Sequence, residues 1–189
     1  EMAIQAAPNL ALGKVALVAE LRHALGDAWV LHEPDELLLY TYDGSVERAL
    51  PDAVVFPDSA TQVQAVVRIA DRLRVPVVAR GAGTGLSGGA VAACGGVVVS
   101  TARMNRILEV DEENHSALVE AGISGKELER DLEARGYTCG HDPDSVELST
   151  LGGWIATNAS GMKKNKYGNI EDIVLEATLI TASGDFETR

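Results

Sequence analysis

Arg80-Gly81-Ala82-Gly83-Thr84-Gly85-Leu86-Ser87-Gly88-Gly89 sets five glycines in nine residues directly after the apolar run Pro76-Val77-Val78-Ala79. Glycine lets the main chain take positive φ and lets another group approach it closely. Successive free N–H groups in such a loop make a concavity that holds an anion. The chemistry on offer is phosphate binding by backbone. The plain alternative is a flexible surface loop; the position between apolar runs, not in a polar linker, favours phosphate. Gly83 to Gly88 match G-x-G-x-x-G, but a dinucleotide fingerprint also needs its last glycine to open a helix and an acidic residue about 20 positions on. Here Gly88 runs into Gly89-Ala90-Val91-Ala92-Ala93-Cys94-Gly95-Gly96, too glycine-rich for a stable helix. The next regular stretch, Val97-Val98-Val99, reads as a strand. G-x-x-x-x-G-K-[ST] is absent. The pattern predicts a glycine loop between two strands with a diphosphate along its backbone, and positive φ at Gly83 and Gly85.

Residues 141–171 form a second candidate, rich in Gly, Ser, Asn and Asp yet carrying Leu148, Leu151, Trp154, Ile155, Ala156 and Met162. That apolar content argues for order. Leu151-Gly152-Gly153-Trp154-Ile155-Ala156 predicts the start of a helix whose glycines permit close backbone contact, with a second anion-friendly end. A structural Ω-loop is the alternative. Cys139, His141, Asp142 and Asp144 match no zinc or calcium spacing, so no metal is expected. Asp142-Pro143-Asp144-Ser145 predicts a turn whose side chains cap nearby N–H groups. Lys163, Lys164 and Lys166 are the one basic cluster, read equally as a solvated loop or as attraction for an anionic cofactor or substrate. His23, His32 and His115 read as surface or packing residues, and no Ser–His–Asp set can be assembled.

The elements that must position these segments follow from periodicity. Val15, Leu17, Val18, Leu21 and Leu25 share one face of a helix over 13–25, stopped by Gly26. Residues 34–40 predict a short second helix, and Ala53-Val54-Val55-Phe56 a strand ended by Pro57. Ser59-Ala60-Thr61-Gln62 predicts a capping box for a helix to Leu73, with Val63, Val66, Val67, Ala70 and Leu73 on one face. With Pro76 to Ala79 as the next strand, this is a right-handed crossover carrying the glycine loop at its carboxyl end, where ligands bind in open α/β sheets. Strands are predicted over 97–100, 106–110, 116–120 and 173–181, with a helix from a second capping box at Ser124-Gly125-Lys126-Glu127 to Arg135. A turn at Ser183-Gly184 leads to a last, unpaired strand from Phe186, as though the chain stops inside a larger fold.

The 189 residues are 46% hydrophobic and 4% aromatic, enough for one core split into two lobes. A net charge of −12 argues against nucleic acid and anionic membrane as partners. The longest apolar runs are too short to span a membrane, and the first residues lack a secretory-signal pattern. A cytoplasmic protein is expected, with Cys94 and Cys139 buried.

The run from Pro76 to Gly89 resembles the flavin diphosphate loop of FAD-linked oxidases of the vanillyl-alcohol-oxidase type, and within them the glycolate oxidase flavoprotein subunit and the D-lactate dehydrogenases. Met104-Asn105-Arg106-Ile107-Leu108 and Glu120-Ala121-Gly122-Ile123-Ser124 fit the same family. The segment from Gly140 to Asp172 is similar to alkyldihydroxyacetonephosphate synthases. The resemblance covers about residues 38–189. It implies an α+β fold, a two-lobed PCMH-type FAD-binding domain. Residues 1–50 would be an N-terminal helical segment and 51–189 the FAD-binding domain, with lobe 1 over about 51–110 and lobe 2 over about 111–189. It implies Ala79, Arg80, Gly81, Ala82, Gly83, Thr84 and Gly85 on the diphosphate. Asp144, Ser145, Val146, Glu147, Leu148, Ser149 and Thr150, with Thr157, Asn158, Ala159 and Ser160, would lie along the ribityl and isoalloxazine parts. Leu86, Ser87, Gly152 and Gly153 complete the candidate cofactor-binding set. Covalently flavinylated members often carry histidine in the diphosphate loop; this loop has none, which implies noncovalent FAD.

In that family the domain continues into a motif like Glu-Gly-Thr-Leu-Gly and a cap domain with catalytic His, Arg or Tyr. The 189 residues hold neither, so the expectation is a domain truncated before its last elements and cap, with negligible turnover alone. A homo-oligomer or a missing cap domain are the protein partners left open, as is the electron acceptor. The implied reaction takes a hydride from the carbinol carbon of a small 2-hydroxy acid to flavin N5. Alkyl transfer on a phosphate ester, and a non-catalytic FAD-binding fragment, are the alternatives. Asn158 weighs for the hydroxy acid, because the synthases usually carry Arg there and an Arg fork suits phosphate. So does Gly85-Leu86-Ser87, where the synthases favour Ser-Val-Ser.

Overall fold

The computed structural model describes residues 8–188. Helix α1 (Pro8–Leu25) starts before the predicted position, and its residues 8–12 are described only as backbone. Leu17, Val18, Leu21 and Leu25 are buried as the spacing requires, but Val15 is 69% exposed because it falls outside that stripe. Gly26 ends the helix at φ 91°. Strand β1 (Val30–Leu31) follows, then α2 (Pro34–Leu37), which passes into a 3₁₀ turn over Leu38–Tyr40.

Strand β2 (Ala53–Val55), helix α3 (Ala60–Leu73), strand β3 (Val77–Arg80) and strand β4 (Val97–Ser100) build the first lobe. Ser59 caps α3 by accepting from Gln62 N, while the Gln62 side chain reaches Asp58 N, one residue beyond the expected partner. The sheet order is β1-β2-β4-β3, with β4 parallel to both neighbours and β1 antiparallel to β2. The crossover through α3 therefore joins strands that are not adjacent; β4 lies between them. The residues explain why: Val97, Val98, Val99 and Ser100 are all buried, as a central parallel strand demands. Val77 of β3, at the edge, is 40% exposed.

The sheet has two covered faces. Ala53, Val55, Val97 and Val99 pack with Leu17, Leu21 and Leu25 of α1 and Val66 of α3. Val54 and Val98 face the other way, against Leu37 of α2 and Ala92. Ala92 belongs to the return segment that carries the chain from the carboxyl end of β3 back to the start of β4, as a parallel pair requires. The glycine loop and its return are thus pinned on the sheet by a buried alanine. The segment before β2 joins the same core, since α1 and β1 both pack on it.

The second lobe holds the antiparallel pair β5 (Ile107–Asp111) and β6 (Ser116–Val119), then α4 (Gly125–Glu133). Its capping box is reciprocal, between Ser124 and Glu127. The 141–171 segment contains more helix than the composition suggested: α5 (Leu151–Thr157), α6 (Lys164–Tyr167) and α7 (Ile170–Ile173). Ile123, Leu128, Leu132, Trp154 and Ile170 form a separate core cluster, so the two lobes have their own interiors. They are strapped together by arginines. Arg103 donates to Phe56 O and Asp58 and lies over the Trp29 ring. Arg106 makes a fork to the buried Glu120 carboxylate and reaches Asp58 O. That fork holds the Glu120 carboxyl below its ordinary range, against the effect of its burial.

Strand β7 (Ala177–Ile180) is shorter than predicted, because Ile173 closes α7. It pairs antiparallel with β8 (Asp185–Thr188), so the last strand is paired and not dangling. Gln64 to Asp185 and Arg68 to Ala182 O tie the pair to α3. Among the described residues, no helix is long and apolar enough to cross a membrane. Cys139 is half-buried and its thiol is pushed up by burial; Cys94 is exposed, contrary to the expected burial, because it sits on the return segment beyond Ala92.

Candidate functional site

The glycine loop leaves the sheet where Arg80 ends β3. Among the described residues, none of the backbone N–H groups from Gly81 to Gly89 has a hydrogen-bond partner within the protein, and the first paired amide is Ala90. Buried amides are nearly always paired, so this run has its donors turned to solvent or to a ligand. Gly83 has φ +70°, and a Cβ there would collide with the Arg80 guanidinium. Gly85 differs from expectation: its φ is not positive and nothing lies within 4 Å of a Cβ built on it. Its exposed backbone makes open space at the loop, not local strain. Ala79, Ala82, Leu86 and Ser87 are also exposed, with Gly81 and Thr84 partly so.

Arg80 does not reach outward. It is 7% exposed, donates to Ala90 O at 3.1 Å, and stands 5.6 Å over the Tyr40 ring. Its side chain supports the loop from beneath.

The second predicted segment meets the first. A Cβ on Gly81 would strike the Thr150 hydroxyl, so the start of the glycine loop touches the N-cap of α5. The turn from Asp144 to Thr150 is held by backbone and by one indole. The first amides of α4, Gly125 N and Lys126 N, donate to Ser149 O and Val146 O at 3.0 and 3.1 Å. Trp154 Nε1 donates to Ser149 Oγ at 2.7 Å, and that hydroxyl donates to Ser145 O at 2.8 Å. Leu151 N and Gly152 N bond Ile123 O and Ala121 O, fixing the start of α5 against the strand end. Asp144, Glu147 and Leu148 remain exposed; Ser149 and Thr150 are buried and structural. The turn closes through Val146 N to Pro143 O, not through side-chain caps from Asp142 or Asp144, and Asp142 faces Lys163 at 3.4 Å.

The polar side chains at and beyond the end of α5 are engaged within the protein. Thr157 donates to Gly153 O, and Ser160 to Asn169. Asn158 closes the helix at φ 49°, a left-handed conformation that asparagine tolerates, and donates to Glu171 at 2.6 Å. A cofactor lying here would meet mainly backbone, with Asp144 exposed and Glu147 facing Lys126 at 3.7 Å. Gly152 and Gly153 are half-buried under Ala121 and Thr150. A 290 Å³ cavity adjoins the turn at His141, Asp142, Val146 and Glu147. A 630 Å³ groove between β5 and α4 touches neither predicted segment.

Sequence reasoning weighed His141 only as a metal ligand and passed over Asp43. His141 is 4% exposed, and neither ring nitrogen has a partner among the described residues; its ring stands edge-on to Trp154 at 4.8 Å. Burial lowers its pKa from the ordinary 6.5. Asp43, 5% exposed, sits beneath the glycine loop. Neither carried a spacing signal. Among the described residues no group of His, Cys, Asp and Glu is placed to hold a metal.

The family model of the FAD binding domain matches residues 51–188. The chain is 37% identical over 175 residues to alkyldihydroxyacetonephosphate synthase of Caenorhabditis elegans, covering 88% of this chain and 28% of that protein. It is 38% identical over 149 residues to glycolate oxidase subunit GlcD of Bacillus subtilis, covering 78% and 32%. A solved alkyldihydroxyacetonephosphate synthase superposes with a TM-score of 0.87 at 32% identity, over 93% of this chain and 35% of its own. The chain thus spans about a third of the length of the relatives it matches.

Proposed function

The chain belongs to the FAD binding domain family of flavin-dependent oxidoreductases and their relatives, and we propose that its cofactor FAD lies with its diphosphate on Gly81–Ser87. The single observation that carries this is the run of unpartnered amides from Gly81 to Gly89, an anion cradle of the kind a diphosphate fills. The contact between Gly81 and Thr150 supports the rest of the reading. It makes the two segments one surface, with the ribityl and isoalloxazine parts along residues 144–150 and 157–160. The FAD-binding unit would run over about 51–189, with its lobes meeting just ahead of β5, whose Ile107 packs on the second core. The cofactor is dissociable, since the loop offers no histidine for a covalent link. The free, exposed Cys94 suits a reducing compartment, in keeping with a cytoplasmic site.

The reaction we infer is oxidation of a small 2-hydroxy acid to the 2-oxo acid: the substrate loses a hydride from C2 and releases its hydroxyl proton to solvent. When bound, FAD supplies the two-electron acceptor for this step. What the chain contributes is positioning, from backbone donors on one side and a turn without arginine on the other. The lysines nearest that turn are already faced by carboxylates, Lys126 by Glu147 and Lys163 by Asp142, which suits a small monoanion better than a phosphate ester. Asn158 supports this less than its identity suggests, because its amide is engaged by Glu171. The similarity to a solved synthase, TM-score 0.87, favours alkyl transfer as a second reading.

Two measurements test this. Purified protein titrated with FAD should develop a bound-flavin spectrum, and acid precipitation should release the flavin to the supernatant. In the protein as its gene encodes it, anaerobic D-lactate or glycolate should bleach the flavin. Bleaching by an acyl-dihydroxyacetone phosphate alone, with no response to any hydroxy acid, would establish the second reading.

A further inference from the structure

The glycine loop has no sheet bonds of its own, so something else must fix its shape. The segment beneath it supplies a bed. A Cβ on Gly44 would come within 2.8 Å of Gly85 O and 3.0 Å of Thr84 O, so these carbonyls rest directly on Gly44. Next to it is Asp43, a carboxylate 5% exposed and outside the residues that match the family model. Its two oxygens both accept from backbone. Oδ1 takes Ser45 N at 2.8 Å and Oδ2 takes Ala90 N at 3.3 Å. The same residue, Ala90, is gripped from its other side by Arg80, which donates to Ala90 O at 3.1 Å. Arg80 is in turn set on the Tyr40 ring, and Tyr40 meets Phe56 edge-on at 5.9 Å. Two nearly buried opposite charges thus hold the amide and the carbonyl of the one residue at which the run of unpartnered amides ends.

We propose that Asp43 is a positioning residue for the diphosphate loop: with Arg80 it clamps Ala90, and so holds the loop from Gly81 to Gly89 in its anion-binding shape before the cofactor arrives. This rests on the reading that the loop takes the diphosphate of FAD. Burying a carboxylate is unfavourable unless its oxygens are bonded. Here the bonds go to the two chain segments that must stay in register, so the burial is spent on loop geometry. The Arg80 charge lies directly under Gly83. The requirement is chemically narrow. Asparagine, nearly the same size, has one acceptor and one donor group. It would turn an N–H against either Ser45 N or Ala90 N.

The test is Asp43→Asn, compared with the unaltered protein for FAD, ADP and riboflavin by fluorescence quenching and competition. FAD and ADP share the diphosphate; riboflavin has none. Both should weaken by the same factor, about tenfold for a charge-assisted bond replaced by a donor clash, while riboflavin is unchanged. Equal FAD affinity in a folded variant overturns the clamp and leaves the site reading standing, as does a loss of all three ligands alike. Failure of the unaltered protein to bind FAD or ADP overturns the site reading itself. Should the variant not fold, hydrogen exchange on the unaltered protein decides: the Ala90 amide must be protected before FAD is added, and exchange as fast as at Gly89 overturns the proposal.

Discussion

The glycine loop hangs from a sheet, whereas the turn from Asp144 to Thr150 hangs from the first amides of α4 and from one indole. In the first case β4, buried along its whole length, fixes β3, and β3 delivers the loop. In the second there is no strand. Ser149 O and Val146 O are capped by Gly125 N and Lys126 N, and Trp154 reaches Ser149. The loop keeps its donors unpaired; the turn pairs the amides of Val146, Leu148 and Ser149 internally and has two of its carbonyls taken by the first amides of α4. A surface that must accept a dianion needs free N–H groups on a rigid base. A surface that lies against a ring system needs shape, and shape is obtained by satisfying the backbone internally. Substitutions that treat the two regions alike in size should therefore give different results.

The largest effect is expected at Gly83→Val. The residue has φ +70°, where a β-branched side chain is strained, and a Cβ meets the Arg80 guanidinium. The strain costs about 2 kcal/mol or more, and FAD affinity should fall about 100-fold or beyond detection. Titration at the flavin absorption band checks it. Unchanged affinity in a folded variant would remove the loop from the site.

Gly125→Ala is the matching change in the other region. The added Cβ would lie 2.6 Å from the Trp154 ring and 2.6 Å from Val146 O. Overpacking of this kind costs about 1–3 kcal/mol, and here it pushes α4 off the turn. Urea unfolding should show the loss, with a disturbed near-ultraviolet signal from Trp154. If only flavin binding changed, with stability intact, the turn would not depend on the end of α4.

These two glycines show what a sequence discloses. The loop could be read because glycine spacing, flanking valines and the failure of the helix after Gly88 are local facts. So could the capping box at Ser124 and the buried stripe of α3. The order β2-β4-β3 could not, since adjacency depends on which strand is central, although the unbroken run Val97-Val98-Val99 held the hint. The turn could be placed only by family resemblance. The bonds that hang it on the preceding elements join residues 20 or more positions apart, such as Gly125 to Ser149 and Ala121 to Gly152. Arg80 and Asn158 look like ligand contacts by type; tertiary packing gives Arg80 to Ala90 and Asn158 to Glu171.

Gly85→Ala sharpens the comparison from within the loop. With no positive φ and nothing within 4 Å of the new methyl, folding should change by less than about 0.5 kcal/mol. FAD should still bind several-fold more weakly if the diphosphate lies on this backbone. Equal affinity would move the diphosphate to another stretch of the loop.

The smallest effect is expected at His141→Phe, and it tests the other region through pH. The imidazole is 4% exposed, edge-on to Trp154, with neither nitrogen partnered among the described residues. Phenylalanine keeps the edge contact and removes two buried polar atoms, so at pH 7 stability should hold or rise slightly. Burial holds the folded-state pKa below the ordinary 6.5, only partly opposed by neighbouring Asp142. Below about 6.5 the unfolded chain therefore binds a proton that the folded chain refuses, and stability falls as pH drops toward the folded value. Asp43 and Glu120 also have lowered values, but from ordinary ones of 3.8 and 4.5, so their contributions are lost at lower pH. Urea midpoints at pH 7, 6, 5, 4 and 3 separate the two windows. The variant should show a flatter profile from 7 to 5 and the same acid fall below 4.5. A profile parallel to that of the unaltered protein would mean that His141 is solvated or partnered in solution, and that the turn is looser than the bonds to α4 and Trp154 make it.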